Sequence, residues 1–105
     1  MLEGVLVEDL KVLTDERGGV RHMLRNDAPF FKQFGEIYFS YVNPGFIKGW
    51  KRHLKMTQHF TVPVGELKLV LFDSREGSST QNQVQELQIG TDHYQLVRIP
   101  PCVKN

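Results

Sequence analysis

Gly45-Phe46-Ile47-Lys48-Gly49-Trp50-Lys51-Arg52-His53-Leu54-Lys55-Met56-Thr57-Gln58-His59-Phe60-Thr61-Val62-Pro63-Val64-Gly65 is the stretch on which the reading of this 105-residue chain turns. Phe46–His53 and Met56–Val62 read as two consecutive strands. Side chains two apart on a strand point to the same face, so Lys51 and His53 are expected on one face. The following strand, running antiparallel, brings Gln58 across from them. His59 then points the other way and is expected to be structural. Glycines at the two ends, Gly45 and Gly65, allow the turns that the arrangement needs.

Outward from this stretch the strand-like pattern continues in both directions. Gly4–Val7 is a short apolar run, Asp15-Glu16-Arg17-Gly18-Gly19 a turn, and Val20–Arg25 a second strand. Residues 26–35, with Pro29 and Gly35, read as a loop or one helical turn. Glu36–Val42 is rich in Ile, Tyr, Phe and Val, which suit a pleated surface, and Asn43-Pro44-Gly45 is a turn. In Glu66–Phe72 the Leu67, Leu69, Leu71 alternation marks one buried face. A polar loop over Asp73–Gln81 leads to strands at Val84–Ile89 and Tyr94–Ile99, before Pro100-Pro101. No stretch of ten or more residues has helical spacing. Short strands separated by turns at this frequency predict an all-β sandwich or barrel, a single domain over residues 1–105.

Composition narrows the function classes. Hydrophobic residues make up 40% and charged residues 24% of the chain, the balance of a globular domain. The net charge is +1 and no Lys/Arg run exceeds two residues, so no nucleic-acid partner is expected. Apolar runs such as Leu69-Val70-Leu71-Phe72 are far too short for a membrane-spanning helix. Cys102 is the only cysteine, so no intrachain disulfide can form. With no basic-then-apolar start, the expected compartment is the cytoplasm.

Two segments carry a family resemblance. Gly45, Lys51, His53, Gln58 and Gly65 have the spacing of the first cupin motif, in which His, His and Glu are expected where Lys51, His53 and Gln58 stand. Gly65-Glu66 through Asp73-Ser74-Arg75-Glu76-Gly77-Ser78-Ser79-Thr80 resembles the Gly-Glu, apolar strand, Asp-Leu-Arg, Ser-Pro-Thr segment of dTDP-4-dehydrorhamnose 3,5-epimerases. Asp15-Glu16-Arg17-Gly18 is similar to that family's Asp-x-Arg-Gly, Lys48-Gly49-Trp50 to its Arg-Gly-Leu, and Ile99-Pro100-Pro101-Cys102 to its Ile-Pro-x-Gly. Gly49-Trp50-Lys51-Arg52-His53 also resembles the Gly-Phe-His-x-His of dTDP-4-keto-6-deoxyglucose 3,4-ketoisomerases. The resemblance implies a cupin-type double-stranded β-helix, a jelly-roll barrel shortened at its C-terminus. Lys51, His53 and Gln58 would face its interior.

The resemblance implies a sugar-nucleotide epimerase or isomerase lineage with catalytic positions substituted or missing. The epimerases' base, a His, falls on Lys51; lysine performs that task only where burial or a neighbouring cation lowers its pKa. The family's acid, a Tyr, lies beyond the Ile-Pro segment and is absent here. Lys51 and His53 are the catalytic candidates. Arg17 is the expected diphosphate contact, since a guanidinium matches phosphate oxygens with two parallel bonds. Lys48, His22, Gln58 and Asp73 complete the ligand-binding set, with an ion pair to Arg75 or Lys51 as the plain alternative for Asp73. Neither a metal nor another cofactor is expected, because His53 is the one motif ligand kept and the sugar-nucleotide epimerases use no metal. The expected partner is a small molecule, a nucleotide sugar. The other reading is a non-catalytic cupin that binds a sugar-like or anionic ligand through Lys51, Gln58 and Asn105, or an oligomerising scaffold. A shortened barrel leaves an unpaired strand edge, so a homodimer is expected. Trp50 should pack between sheets or at that contact, and Cys102 should be a small buried hydrophobe where the family has Gly.

Overall fold

The computed structural model describes residues 1–105 and contains strands, turns and extended segments but no helix. Eight strands follow in chain order: β1 Leu6–Asp9, β2 Val12–Asp15, β3 Gly18–Arg21, β4 Gln58–Phe60, β5 Glu66–Asp73, β6 Val84–Gly90, β7 Gln95–Ile99 and β8 Val103–Lys104. They form two three-stranded antiparallel sheets, ordered β1-β7-β4 and β6-β5-β8, and a separate β2-β3 hairpin.

The core lies where the two sheets face each other. Leu69 and Leu71 of β5, Ile89 of β6, Val97 and Ile99 of β7 and Val103 of β8 form one buried cluster with Leu2 and Val5. The period of two in β5 accounts for this: Leu69, Leu71 and Asp73 are buried, whereas Glu66 and Lys68 are exposed. The N-terminus joins the sheets, since Leu2 is buried in the core and its N–H donates to Gln85 Oε1 on β6 at 2.8 Å.

Strand β7 is buried on both faces. Val97 and Ile99 point to the core, while Leu96, on the opposite face, is also fully buried. Two segments cover that outer face. The guanidinium of Arg21, at the end of the hairpin, lies 4.9 Å from the centre of the Tyr94 ring and donates to the Thr91 carbonyl at 3.2 Å. The Phe30 carbonyl accepts from His59 Nε2 at 3.2 Å and from Arg98 Nη1 at 3.5 Å.

Gly45 and Gly65, the glycines bounding the decisive stretch, have φ of +84° and +85°. Side chains disfavour that left-handed region, which is why glycine serves there. Three expected strands differ from expectation. Glu36–Val42 and the first part of Phe46–His53 are extended but belong to no ladder. Their composition suits a sheet, but propensity supplies no partner, and a strand exists only when another backbone takes its hydrogen bonds. Met56–Val62 shortens to the three residues of β4 for the same reason.

Candidate functional site

The site is assembled at the open edge of β8. Val103 pairs with Asp73, so its side chain shares the inner face with Asp73, Leu71 and Leu69. Asn105, two residues on, returns to that face. Lys51 and Asn105 exchange both backbone hydrogen bonds, Lys51 N–H to Asn105 O at 2.7 Å and Asn105 N–H to Lys51 O at 3.0 Å. This is a directly opposed antiparallel pair, whose two side chains project to one side. Lys51 therefore stands beside the Asn105 side chain, and the run from Lys51 to His53 serves as a fourth strand on this sheet. The Cys102 N–H donates to His53 O at 2.7 Å and holds the far end of that run.

Gln58 arrives from the other sheet. In β4 it pairs with Ile99, a core residue, whereas His59 pairs with Arg98 on the outer face. Gln58 thus points inward, and Asn105 Nδ2 donates to its Oε1 at 2.7 Å. Lys51, Asn105 and Gln58 are brought together from three segments. His53 lies two residues beyond Lys51 on the same extended run, and its Nε2 is buried without a hydrogen-bond partner. Most buried polar nitrogens are bonded, so the unpartnered imidazole nitrogen of His53 is the chemically distinctive atom of this run. These segments carry an imidazole, an ammonium and two amides.

Asp73 belongs to the frame around this site. Its carboxylate is fully buried and receives five hydrogen bonds: from Arg75 N–H at 3.0 Å, Nε at 2.9 Å and Nη2 at 2.9 Å, and from the Ser78 and Thr80 hydroxyls at 2.6 Å each. The Arg75 guanidinium, with the Ser78 and Thr80 hydroxyls behind it, holds the Asp73 carboxyl well below the usual carboxylate range despite its burial. Those bonds fill the acceptor sites of both oxygens, so the ligand contact expected of Asp73 is replaced by the ion pair with Arg75. The same loop clamps the N-terminus. Arg75 Nη2 donates to Glu3 O at 2.5 Å, Glu3 N–H donates to Thr80 Oγ1 at 2.9 Å, and Ser79 N–H donates to Glu3 Oε2 at 3.1 Å.

The remaining candidates stand apart from the cluster. Arg17 occupies the two-residue turn between β2 and β3, where its Nη2 is 2.8 Å from Asp15 Oδ2 and its N–H donates to Asp15 Oδ1 at 2.8 Å. The Arg17 hydrogen bonds hold the Asp15 carboxyl below its ordinary value. The Arg17 side chain is 86% exposed, and only one of its guanidinium nitrogens, Nη2, is engaged by Asp15. His22 is half-buried just past β3, with its N–H on the Lys11 carbonyl at 2.9 Å. Lys48 is exposed and donates to Ser40 Oγ at 3.1 Å. No hydrogen bond or ion pair connects Arg17, His22 or Lys48 to Lys51, His53, Gln58 or Asn105.

Two features escape sequence reasoning. The first is the closed network of Asp73, Arg75, Ser78, Thr80 and Glu3, signalled by hydroxyl residues five and seven positions after an Asp at a strand end. The second is a groove beside β8 lined by Trp50, Lys51, Arg52, Phe72 and Lys104, with Lys104 Nζ 5.8 Å from the Phe72 ring centre. Trp50 is 60% exposed on this groove and is packed between no sheets. Cys102 is half-buried and takes a φ of +71°, a conformation suited to the glycine that the resemblance places there.

No family model matches the chain. The chain is similar to the Haloferax volcanii protein named "Probable low-salt glycan biosynthesis epimerase Agl13", 35% identical over 94% of this chain and 65% of that protein. It is 33% identical to "Spore coat polysaccharide biosynthesis protein SpsL" of Bacillus subtilis over 98% of this chain and 68% of that protein. Among solved structures it resembles the dTDP sugar isomerase of Desulfovibrio desulfuricans G20, with a TM-score of 0.95 and 50% identity over 98% of this chain and 66% of that one. The chain spans about two thirds of the length of each of these relatives.

Proposed function

We infer the function from one premise: this chain belongs to the dTDP-sugar epimerase and isomerase family of cupins. Our reading is a nucleotide-sugar site on the inner face, built by Lys51, His53, Gln58 and Asn105, that moves a proton next to a ring ketone. The observation that carries it is His53 Nε2, buried and unpartnered, two residues along one run from the Lys51 ammonium. An imidazole titrates near neutrality and accepts a proton from carbon when the carbanion is stabilised. Lys51 supplies that stabilisation, its positive charge facing the oxygen that becomes an enolate. Returning the proton to the opposite face of the carbon would give an epimer; returning it to the former carbonyl carbon, while the adjacent hydroxyl passes its proton to the enolate oxygen, would give an isomer. Arg17 is the proposed diphosphate contact, with Lys48 a second cation for the same group. The isomerase named in the structural comparison supports a nucleotide sugar as ligand.

Solvent-deuterium incorporation into dTDP-4-keto-6-deoxyglucose, followed by NMR, tests the reading. We expect exchange above the buffer rate that is lost in His53→Ala; exchange at the buffer rate rejects catalysis. The bond between Asn105 and Gln58, at 2.7 Å, favours a second reading, because it already occupies part of the inner face. Under that reading the chain binds a sugar-like or anionic ligand without turnover. A thermal shift with dTDP but no exchange selects it, since ligand at a hundred times its Kd adds about 2.7 kcal/mol.

A further inference from the structure

Two side-chain amides meet across the inner face. Asn105 Nδ2 donates to Gln58 Oε1 at 2.7 Å, both residues are half-buried, and neither side chain makes any other hydrogen bond. The bond engages the NH2 of one amide and the carbonyl of the other. An NH2 on Gln58 and a carbonyl on Asn105 therefore stay unbonded. Turning both amides over exchanges the two ends and leaves the same inventory, one donor group and one acceptor. Among residues that are not exposed, His53 Nε2 is the only unpartnered side-chain nitrogen or oxygen sealed from solvent, so both free amide ends open into accessible space. The backbone holds them there: Asn105 exchanges two hydrogen bonds with Lys51, and Gln58 sits in β4 opposite Ile99.

We propose that Gln58 and Asn105 together read one hydroxyl of the sugar ring and so set which way round the ring lies; the inference rests on the nucleotide-sugar reading above. A hydroxyl both accepts and donates, so it takes a Gln58 N–H and gives its own hydrogen to the Asn105 carbonyl. A ketone oxygen only accepts, and in that place it leaves the Asn105 carbonyl without a donor. The Lys51 ammonium has the opposite preference, since its three N–H groups suit an acceptor and it has none to offer. Lys51 and Asn105 are directly opposed, so the two preferences lie side by side. They match a ketone and a hydroxyl on neighbouring ring carbons. The ligand class is an α-hydroxy ketone, held with its ketone toward Lys51 and its hydroxyl toward the amide pair. A ring that lacks this hydroxyl, or that enters reversed, displaces water from the amides and returns nothing to them. Unpaired polar groups of that kind are what give a polar site its discrimination. Gln58 and Asn105 are thus specificity-determining residues, distinct from Lys51 and His53.

Calorimetric titration with dTDP-4-keto-6-deoxyglucose and with its 3-deoxy analogue, which lacks the hydroxyl beside the ketone, tests the inference. The full chain carries His53→Ala, so that no proton transfer disturbs the equilibrium. In that background the 3-deoxy sugar should bind about tenfold to a hundredfold more weakly than the hydroxylated one. Adding Gln58→Met or Asn105→Ala should weaken the hydroxylated sugar and leave the 3-deoxy sugar nearly unchanged. The two sugars should then bind within about twofold of each other. Equal binding of both sugars before either substitution overturns the inference and leaves the nucleotide-sugar reading standing. A preference that survives both substitutions does the same. Failure of dTDP and of both sugars to bind overturns that reading, and this inference with it. If Gln58→Met does not fold, Asn105→Ala beyond the end of β8 supplies the same comparison.

Discussion

Replacing Asp73 with Asn removes one charge from the middle of the frame while keeping the side chain's size. Asp73 is fully buried and the Arg75 side chain is 22% exposed, so the guanidinium left behind is largely desolvated and has lost its counter-ion. Breaking a buried pair from one side costs about 3–5 kcal/mol. The Asn nitrogen also turns N–H groups toward donors that had met an acceptor, so the five bonds received by Asp73 cannot all survive. For a chain of this size each kcal/mol moves Tm by about 4–8 °C, so Asp73→Asn should lower Tm by at least about 12 °C. Urea unfolding followed by far-UV CD gives the difference directly. The pH dependence supplies a second check. The native Asp73 carboxyl lies below its ordinary value, so it binds its proton less readily than in the unfolded chain. Its contribution is complete above the unfolded pKa of about 3.9 and is lost as pH falls toward the native value. The gap between wild type and Asp73→Asn should be constant from about pH 5 to about pH 8 and narrow below about pH 4. A gap under about 1 kcal/mol at neutral pH, the worth of one ordinary hydrogen bond, would refute the buried ion pair. So would a gap that keeps its size into strong acid.

Three further changes test separate parts of the account. Cys102→Gly should raise Tm by a few degrees. A side chain at φ +71° costs about 1–2 kcal/mol, only part of which is offset by glycine's unfolded-state entropy; a lower Tm by calorimetry would contradict this. Gly90→Ala should destabilise by about 1–3 kcal/mol, because a Cβ there would overlap the Gly65 carbonyl and lie 2.7 Å from Glu66 Cδ at the start of the β5–β6 pair. Unchanged urea unfolding would show that this strand end is loose. Leu71→Ala, at a position with no exposure between the sheets, should cost about 2–5 kcal/mol; a loss below about 1 kcal/mol would mean the sheets do not pack around it.

Much of the fold was legible because period two is a property of the chain itself. The Leu67, Leu69, Leu71 alternation of β5, the β6 and β7 strands and the turns at Gly45 and Gly65 all follow from local chemistry. The same reasoning failed at Glu36–Val42, where strand-forming residues are present and a partner backbone is not. Parity also set which side chains of β4 face the core. Gln58 inward and His59 outward follow from neighbouring positions on one strand, as does Lys51 beside His53. Whether Lys51 and Asn105 pair was not legible, because register between residues 54 positions apart depends on how the Pro100–Cys102 turn aims the chain. Asp73 was found by its motif, and of the two roles open to it, ligand contact or ion pair, the structure shows the ion pair with Arg75. A carboxylate in a pattern looks alike whether its acceptors face a ligand or face Arg75, Ser78 and Thr80. Only the neighbours distinguish the two.

The most direct test of the nucleotide-sugar site is the imidazole nitrogen spectrum of the protein titrated with dTDP-4-keto-6-deoxyglucose. The account predicts that the ring resonances of His53 shift to saturation while those of His59, bonded to the Phe30 carbonyl on the outer face, stay fixed. A titration in which His53 does not move, or in which His59 moves in its place, would contradict it.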